Sequence, residues 1–259
     1  MSARIGIRRE DKSEWERRVP IIPKHASQLQ EEHDIEVWVQ PSDIRVFPDQ
    51  AYDRAGVPLR EDLSQCPVVF AVKEMPANFF DPGHTYIFFA HVIKGQPDNM
   101  PMLQSLLDKG CHLIDYEKVT DERGHRLIFF GHHAGLAGMV DTLWALGRRL
   151  KTEGIGNPFS ELKQMVEYGG LEEANAAVSA VGKRIAQYGL PQSIAPLICG
   201  FAGYGNVFGG ANEIIELLPV EEIEPGQVAE VAEHSDARDV IYKVVFREED
   251  TVEPISTED

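Results

Sequence analysis

Short apolar runs alternate with stretches of helical periodicity through the first 150 residues, the rhythm of an α/β domain built on a largely parallel sheet. The strand candidates are Ile5 to Arg8, Ile35 to Val39, Val68 to Val72, Tyr86 to Ala90 and His112 to Asp115. Between them, Pro23 to Glu32 opens on a proline and carries apolar residues at helical spacing, and Met100 to Leu107 has the same character. Arg126 to Phe130 reads as a further strand after the turn Asp121-Glu122-Arg123-Gly124. Ala134 to Leu150 then forms a long, largely apolar helix suited to joining two lobes.

From Lys151 to Phe159 the composition shifts to Gly154, Gly156, Asn157 and Pro158, which marks a boundary. Leu171 to Tyr188 is an amphipathic helix ending at Gly189. The apolar run from Leu197 enters the glycine-rich turn Gly203-Tyr204-Gly205-Asn206-Val207 and then a helix from Val207 to Leu217. The expected organisation is a doubly wound parallel-sheet N-terminal substrate domain over 1–150, a helical linker over 151–190, and the start of a Rossmann-type nucleotide domain over 191–259. At most one further strand is expected before Asp259, whereas a dinucleotide fold needs two βαβαβ halves. The cofactor domain is therefore expected to be begun but not completed within this sequence.

The 259 residues are 43% hydrophobic and 26% charged, an ordinary globular composition. A formal charge of -17 excludes the electrostatics of nucleic-acid binding and of attraction to an anionic membrane, leaving small molecules as expected partners. The acidic tail from Glu248 to Asp259 reads as a solvated end. Cys66, Cys111 and Cys199 are too dispersed for a disulfide framework or a zinc site, so no metal is expected. With no apolar signal core and no run long enough to span a bilayer, the expected location is cytoplasmic.

Three constellations carry candidate chemistry. Gly203 and Gly205 would let the backbone approach a pyrophosphate, and the amides of the following helix would face the anion. A tight turn without a ligand would look the same. An acid about 20 positions later would take the ribose hydroxyls, and Glu221, Glu222 and Glu224 all stand there. Second, Lys73 and His91 follow two apolar runs, and ligands in parallel sheets gather beyond the carboxyl ends of strands. Neighbouring strands would deliver both to one crevice with Lys94 nearby, a pattern for proton transfer, although solvated strand-end residues give the same pattern. Third, Arg8, Arg9, Lys12, Arg17 and Arg18 are interleaved with Glu10, Glu14 and Glu16. Arginine forks suit a di- or tricarboxylic ligand, and alternating signs equally suit surface ion pairs.

Taken in order, Arg8-Arg9-Glu10-x-Lys12, Arg18-Val19-Pro20-Ile21-Ile22-Pro23, Val72-Lys73-Glu74-Met75-Pro76, Phe89-Ala90-His91-x-x-Lys94, Asp115-Tyr116-Glu117 and Gly131-x-x-Ala134-Gly135-x-Ala137-Gly138 resemble the alanine dehydrogenase, transhydrogenase and saccharopine dehydrogenase superfamily. Ser42-x-x-Arg45-x-Phe47, Glu61-Asp62-Leu63-Ser64-x-Cys66, Gly203-x-Gly205-Asn206-Val207 and Leu217-Leu218-Pro219 are most similar to the lysine–2-oxoglutarate reductase region of aminoadipic semialdehyde synthase. The resemblance runs from Ile5 to about Glu249.

It implies an oxidoreductase that joins the lysine side-chain amine to 2-oxoglutarate and reduces the imine to saccharopine with NAD(P)H. By motif position, it implies Lys73 and His91 as the acid–base pair, Arg18 as the substrate-carboxylate arginine, and Lys94 and Glu117 as substrate-site residues. Gly203, Gly205, Asn206, Val207 and Glu222 become the cofactor candidates. The implied partners are lysine, 2-oxoglutarate and saccharopine, together with a missing C-terminal half or a second copy of the chain. The other function class left open is a non-catalytic module that keeps the substrate lobe for ligand binding.

Overall fold

The computed structural model describes residues 3–253, which form two compact units parting between Phe129 and Phe130. The last six residues of the acidic tail lie outside that range. In the first unit the chain runs β1 (Ala3–Ile7), α1 (Pro23–His33), β2 (Ile35–Val39), α2 (Asp49–Arg54), β3 (Val68–Phe70), β4 (Thr85–Phe88), α3 (Met100–Asp108) and β5 (His112–Asp115). All pairings are parallel, in the order β2-β1-β3-β4-β5. The order reverses between β1 and β3, the point at which such sheets open a ligand crevice.

Alternation along the strands assigns the two faces. Ile7, Val37 and Val39 pack with Ala26 of α1 and Tyr52 of α2. On the other face Trp38, Val69, Tyr86 and Phe88 pack with Met102 and Leu106 of α3. Each fully buried large side chain contributes about 1.5–3 kcal/mol, so the two cores fix the strand ends that carry the polar loops. Helix α1 begins on Pro23, whose missing N–H costs nothing there, and ends at Asp34 in the left-handed conformation (φ 53°).

The segment Arg126 to Phe130 is not a strand. Arg126 makes an isolated antiparallel bridge with Thr120, and Leu127 and Phe129 are 59% and 46% exposed. The run has strand propensity, but it does not extend the β5 edge, and most of its apolar side chains are left exposed.

The second unit runs α4 (Gly131–Thr152), α5 (Leu171–Tyr188), β6 (Leu197–Ala202), α6 (Asn206–Ile215), β7 (Val220–Glu222), α7 (Val228–His234), β8 (Ile241–Phe246) and α8 (Glu248–Thr251). Leu136, Val140 and Leu143 of α4, Val178, Val181 and Ile185 of α5, and Ile214 and Ile215 of α6 form one core. The composition shift after Lys151 is thus an internal turn of this unit. Two strands follow the glycine turn, not one at most. The parallel sheet has the order β6-β8-β7, with β8 inserted between the strand that enters the turn and the strand that follows α6. In the usual dinucleotide fold those two strands pair directly.

Candidate functional site

At the switch point of the first sheet the β1–β3 ladder ends with the Arg8 amide donating to the Phe70 carbonyl at 2.8 Å. Beyond it a side chain takes over. The buried carboxylate of Glu10 accepts the Val72 amide at 2.7 Å and the Lys73 amide at 3.0 Å. Lys73 therefore leaves β3 from a peptide held by two bonds. Its ammonium makes no hydrogen bond or ion pair among the described residues, although its charge is felt at Glu16.

His91 follows β4 with φ 49°, a conformation uncommon outside glycine. Its Nδ1 lies 2.7 Å from Glu74 Oε1, and its carbonyl accepts from Asn99 Nδ2 at 3.1 Å. Glu74 also holds the Lys12 ammonium at 2.7 Å, so Lys12, Glu74 and His91 form one chain of contacts beside Lys73. Those partners compensate a backbone that would otherwise relax.

Arg18 is clamped in a fork by Glu16, Nε to Oε1 at 2.7 Å and Nη2 to Oε2 at 2.6 Å. Glu117 pairs with Arg126 at 3.5 Å, and its amide donates to the Asp115 carboxylate. Lys94 is exposed, and its side chain has no partner among the described residues.

These contacts set the electrostatics. For Glu74, burial alone would raise the pKa, but bonds from Lys12, its own amide and His91, together with the Lys12 charge, hold it at about 2. Burial raises Glu10 above the usual carboxylate range despite its two amide donors and Arg8. Glu16 is lowered because the Arg18 fork and the charges of Arg18 and Lys73 outweigh its burial. Tyr116, packed edge-on to Phe89 at 5.0 Å, is raised by burial and by the Glu10 charge.

The structure thus gathers Lys73, Glu10, Glu16 and Arg18 into one electrostatic group and ties His91 to Glu74, the residue after Lys73. Lys94 and Glu117 are not joined to it by a direct contact. A cavity of about 460 Å³ opens beside these loops, with Arg8, Arg9, Gln40, Phe79 and Tyr86 on its wall. Lys73, His91, Arg18 and Glu117 do not line it. Sequence reasoning overlooked Glu10 and Glu74 as site residues. Their signal was position alone, three residues past the end of β1 for Glu10 and four past the end of β3 for Glu74.

In the second unit, Gly203 has φ +97°, open only to glycine at low cost, and Gly205 caps α6 without a side-chain bond. The first amides of α6, from Asn206 and Val207, are therefore uncapped by any side chain and can face an anion. A methyl added at Gly210 would overlap the His132 carbonyl, and one at Gly135 the Val207 carbonyl, so α4 and α6 meet through glycines. Gly210 thus allows α6 to approach α4 closely.

A cavity of about 440 Å³ beyond the strand ends is lined by Tyr204, Phe208, Asn212, Glu222, Lys243 and Arg247. The glycine turn, the uncapped helix start and this cavity fit a nucleotide. Glu222, at the end of β7, is already engaged, since Lys243 on the interposed β8 lies 2.8 Å from it and 2.5 Å from Glu216. Burial would lower Lys243, but those two carboxylates raise it. Among the described residues no group of three or more His, Cys, Asp or Glu could hold a metal ion, and no helix is long and apolar enough to cross a membrane.

Residues 6–137 match the family described as alanine dehydrogenase/PNT, N-terminal domain. The mitochondrial alpha-aminoadipic semialdehyde synthase of Rattus norvegicus is 40% identical over 243 residues, 94% of this chain and 26% of that protein. The alpha-aminoadipic semialdehyde synthase of Arabidopsis thaliana is 39% identical over 88% of this chain and 22% of its own length. The chain therefore spans about a quarter of the length of these relatives. A saccharopine dehydrogenase [NAD(+), L-lysine-forming] of Yarrowia lipolytica is 34% identical over 40% of this chain and 29% of its own. Among solved structures, an L-alanine dehydrogenase superposes with a TM-score of 0.58 at 17% identity, covering 94% of this chain and 60% of that one. That likeness is one of fold.

Proposed function

Because the chain belongs to the alanine dehydrogenase/PNT N-terminal-domain family, and its full-length likeness is to enzymes of lysine metabolism, we propose that it is the substrate half, with the first nucleotide half, of a saccharopine-forming oxidoreductase. The observation that carries the reading is the grouping of Lys73, Glu10, Glu16 and Arg18 at the switch point, with His91 held by the neighbouring Glu74.

In the proposed reaction the lysine ε-amine adds to the ketone carbon of 2-oxoglutarate. A C–N bond forms, the amine proton passes to the carbinolamine oxygen, and water then leaves to give the imine. Lys73 and His91 handle these protons, each within a cluster that fixes its position. Arg18 holds a substrate carboxylate in a fork, in exchange with Glu16. Gly203, Gly205 and the amides of Asn206 and Val207 take the pyrophosphate of a nicotinamide nucleotide. That cofactor, when bound, is the source of the hydride that reduces the imine. Glu222 meets the ribose only if Lys243 yields it.

Titration calorimetry with 2-oxoglutarate, saccharopine, NADH and NADPH tests the proposal. Heat of binding is expected with saccharopine and with at least one nucleotide, the former lost in Arg18→Met. The engagement of Glu222 by Lys243 favours a second reading, a ligand-binding module without catalysis, which predicts dicarboxylate binding and no response to either nucleotide. No binding of 2-oxoglutarate or saccharopine would overturn both.

A further inference from the structure

We propose that Glu10 is the positioning residue of Lys73: its carboxylate stands in for the β1 backbone at the strand switch and fixes where Lys73 leaves the sheet. The inference rests on the reading of Lys73 as a proton-handling group.

The argument starts from the ladder. In a parallel pair the bonds alternate regularly between strands. After the Arg8 amide donates to Phe70, the next amide facing β1, two residues past the end of β3, is that of Val72. It finds the Glu10 carboxylate instead, at 2.7 Å, and the following amide, Lys73, finds the other oxygen of the same group at 3.0 Å. Two consecutive amides converging on one carboxylate is a bend that a backbone carbonyl cannot impose. Glu10 is only 7% exposed, so water cannot readily substitute for it.

The same peptide is held from its other side. The Val72 carbonyl accepts the Phe89 amide at 3.1 Å, two residues before His91. A continuous set of bonds thus runs from the Glu10 carboxylate through Val72 to the segment that carries His91. A change at Glu10 is therefore expected to disturb the His91 segment as well as Lys73. Around the carboxylate stand Arg8 and Arg18 as cations, Glu16 as a second acid and the Tyr116 hydroxyl.

The test uses the 259-residue chain with Glu10→Gln and Glu10→Ala. Two readouts follow Lys73 specifically: the ¹⁵N–¹H signals of Val72 and Lys73, and the rate at which trinitrobenzenesulfonate modifies Lys73, read by peptide mapping with exposed Lys24 as internal control. Glu10→Gln retains one acceptor oxygen, so one of the two amide signals is expected to move. Lys73 labelling is expected to change by about threefold or more, the scale of direct-contact coupling, while Lys24 labelling stays constant. A folded variant with unchanged Lys73 labelling and unchanged amide signals would overturn the proposal. If Glu10→Ala fails to fold, the isosteric Glu10→Gln carries the test. Protection of Lys73 by 2-oxoglutarate separates this inference from the functional reading. Response to Glu10 without protection leaves the positioning role standing and removes the proposed function, and protection with indifference to Glu10 does the reverse.

Discussion

Replacing Glu74 by glutamine tests whether the Lys12–Glu74–His91 contacts stabilise the first unit. The Glu74 side chain is 10% exposed, and its pKa is held at about 2 against an ordinary 4.5. If all of that displacement belongs to the folded state, it is worth about 3 kcal/mol at neutral pH. Lys12 is half exposed, and solvent screening of its share reduces the figure to about 2 kcal/mol. The sign follows from linkage. A carboxyl depressed in the folded state contributes stability above its unfolded pKa and loses it as pH falls through the folded value. The contribution is full above pH 4.5 and disappears towards pH 2. Urea unfolding in a Trp144→Phe background reports on the first unit through Trp15 and Trp38. Glu74→Gln is expected to be about 2 kcal/mol less stable at pH 7, with the gap about two-fifths smaller at pH 3.5. Glu10, raised by burial, works in the opposite sense, its contribution present below pH 4.5 and lost as pH rises, so it is common to both proteins and cancels. A gap that stays constant from pH 7 to 3.5, or no gap at all, would refute the reasoning.

Gly210→Ala should destabilise the second unit by about 1–3 kcal/mol, because the new methyl meets the His132 carbonyl and must part α4 from α6; thermal unfolding followed by Trp144 emission checks it, and an unchanged midpoint would count against the close approach. Gly203→Val should abolish binding of NADH and NADPH, followed by nucleotide fluorescence, since φ +97° is strained for any branched side chain. Unaltered affinity for both nucleotides would exclude the turn as the phosphate cradle.

The strands β2 and β5 and the helix α5 were legible to the residue, because Asp34 and Gly189 punctuate the chain where periodicity changes. The ends of β3 and β4 were read two residues too long. Ala71, Val72, Phe89 and Ala90 are buried as deeply as strand residues, yet the regular β3–β4 register ends with the Ala71 amide on Ile87, and the chain then turns into the loops that carry Lys73 and His91. An apolar run records burial, and here burial outlasts the regular register. The error at Arg126 to Phe130 has the opposite cause, since the segment makes only an isolated bridge and most of its apolar residues are exposed. Lys73 and His91 could be singled out as strand-end residues because the strand order is simple and parallel. Glu10 could not be distinguished from Glu14 in an alternating run of charges. Only the reversal of strand order between β1 and β3 turns one of those acids inward onto the amides of Val72 and Lys73.

The way the cations are matched bears on what binding must overcome. Arg18 is forked by Glu16, Lys12 is held by Glu74, Arg126 by Glu117, and Lys243 by Glu216 and Glu222. A ligand carboxylate reaching Arg18 replaces a carboxylate already there, so the free-energy gain is the difference between two similar bonds. Long-range attraction does not help, because a dicarboxylate approaches a chain of net charge -17. Screening confines that repulsion to about 8–10 Å at ordinary ionic strength. Affinity must then come from what the ligand meets at short range: desolvated contacts at the strand switch and relief of the crowded acids Glu10 and Glu16, whose charges disfavour one another. A positive ligand group, such as the ammonium of an amino acid, gains from that crowding where a simple dianion does not. The site is accordingly expected to prefer a ligand that carries both signs of charge, and saccharopine over 2-oxoglutarate in the calorimetric comparison; tighter binding of 2-oxoglutarate would show that the arginine fork dominates the acids around it.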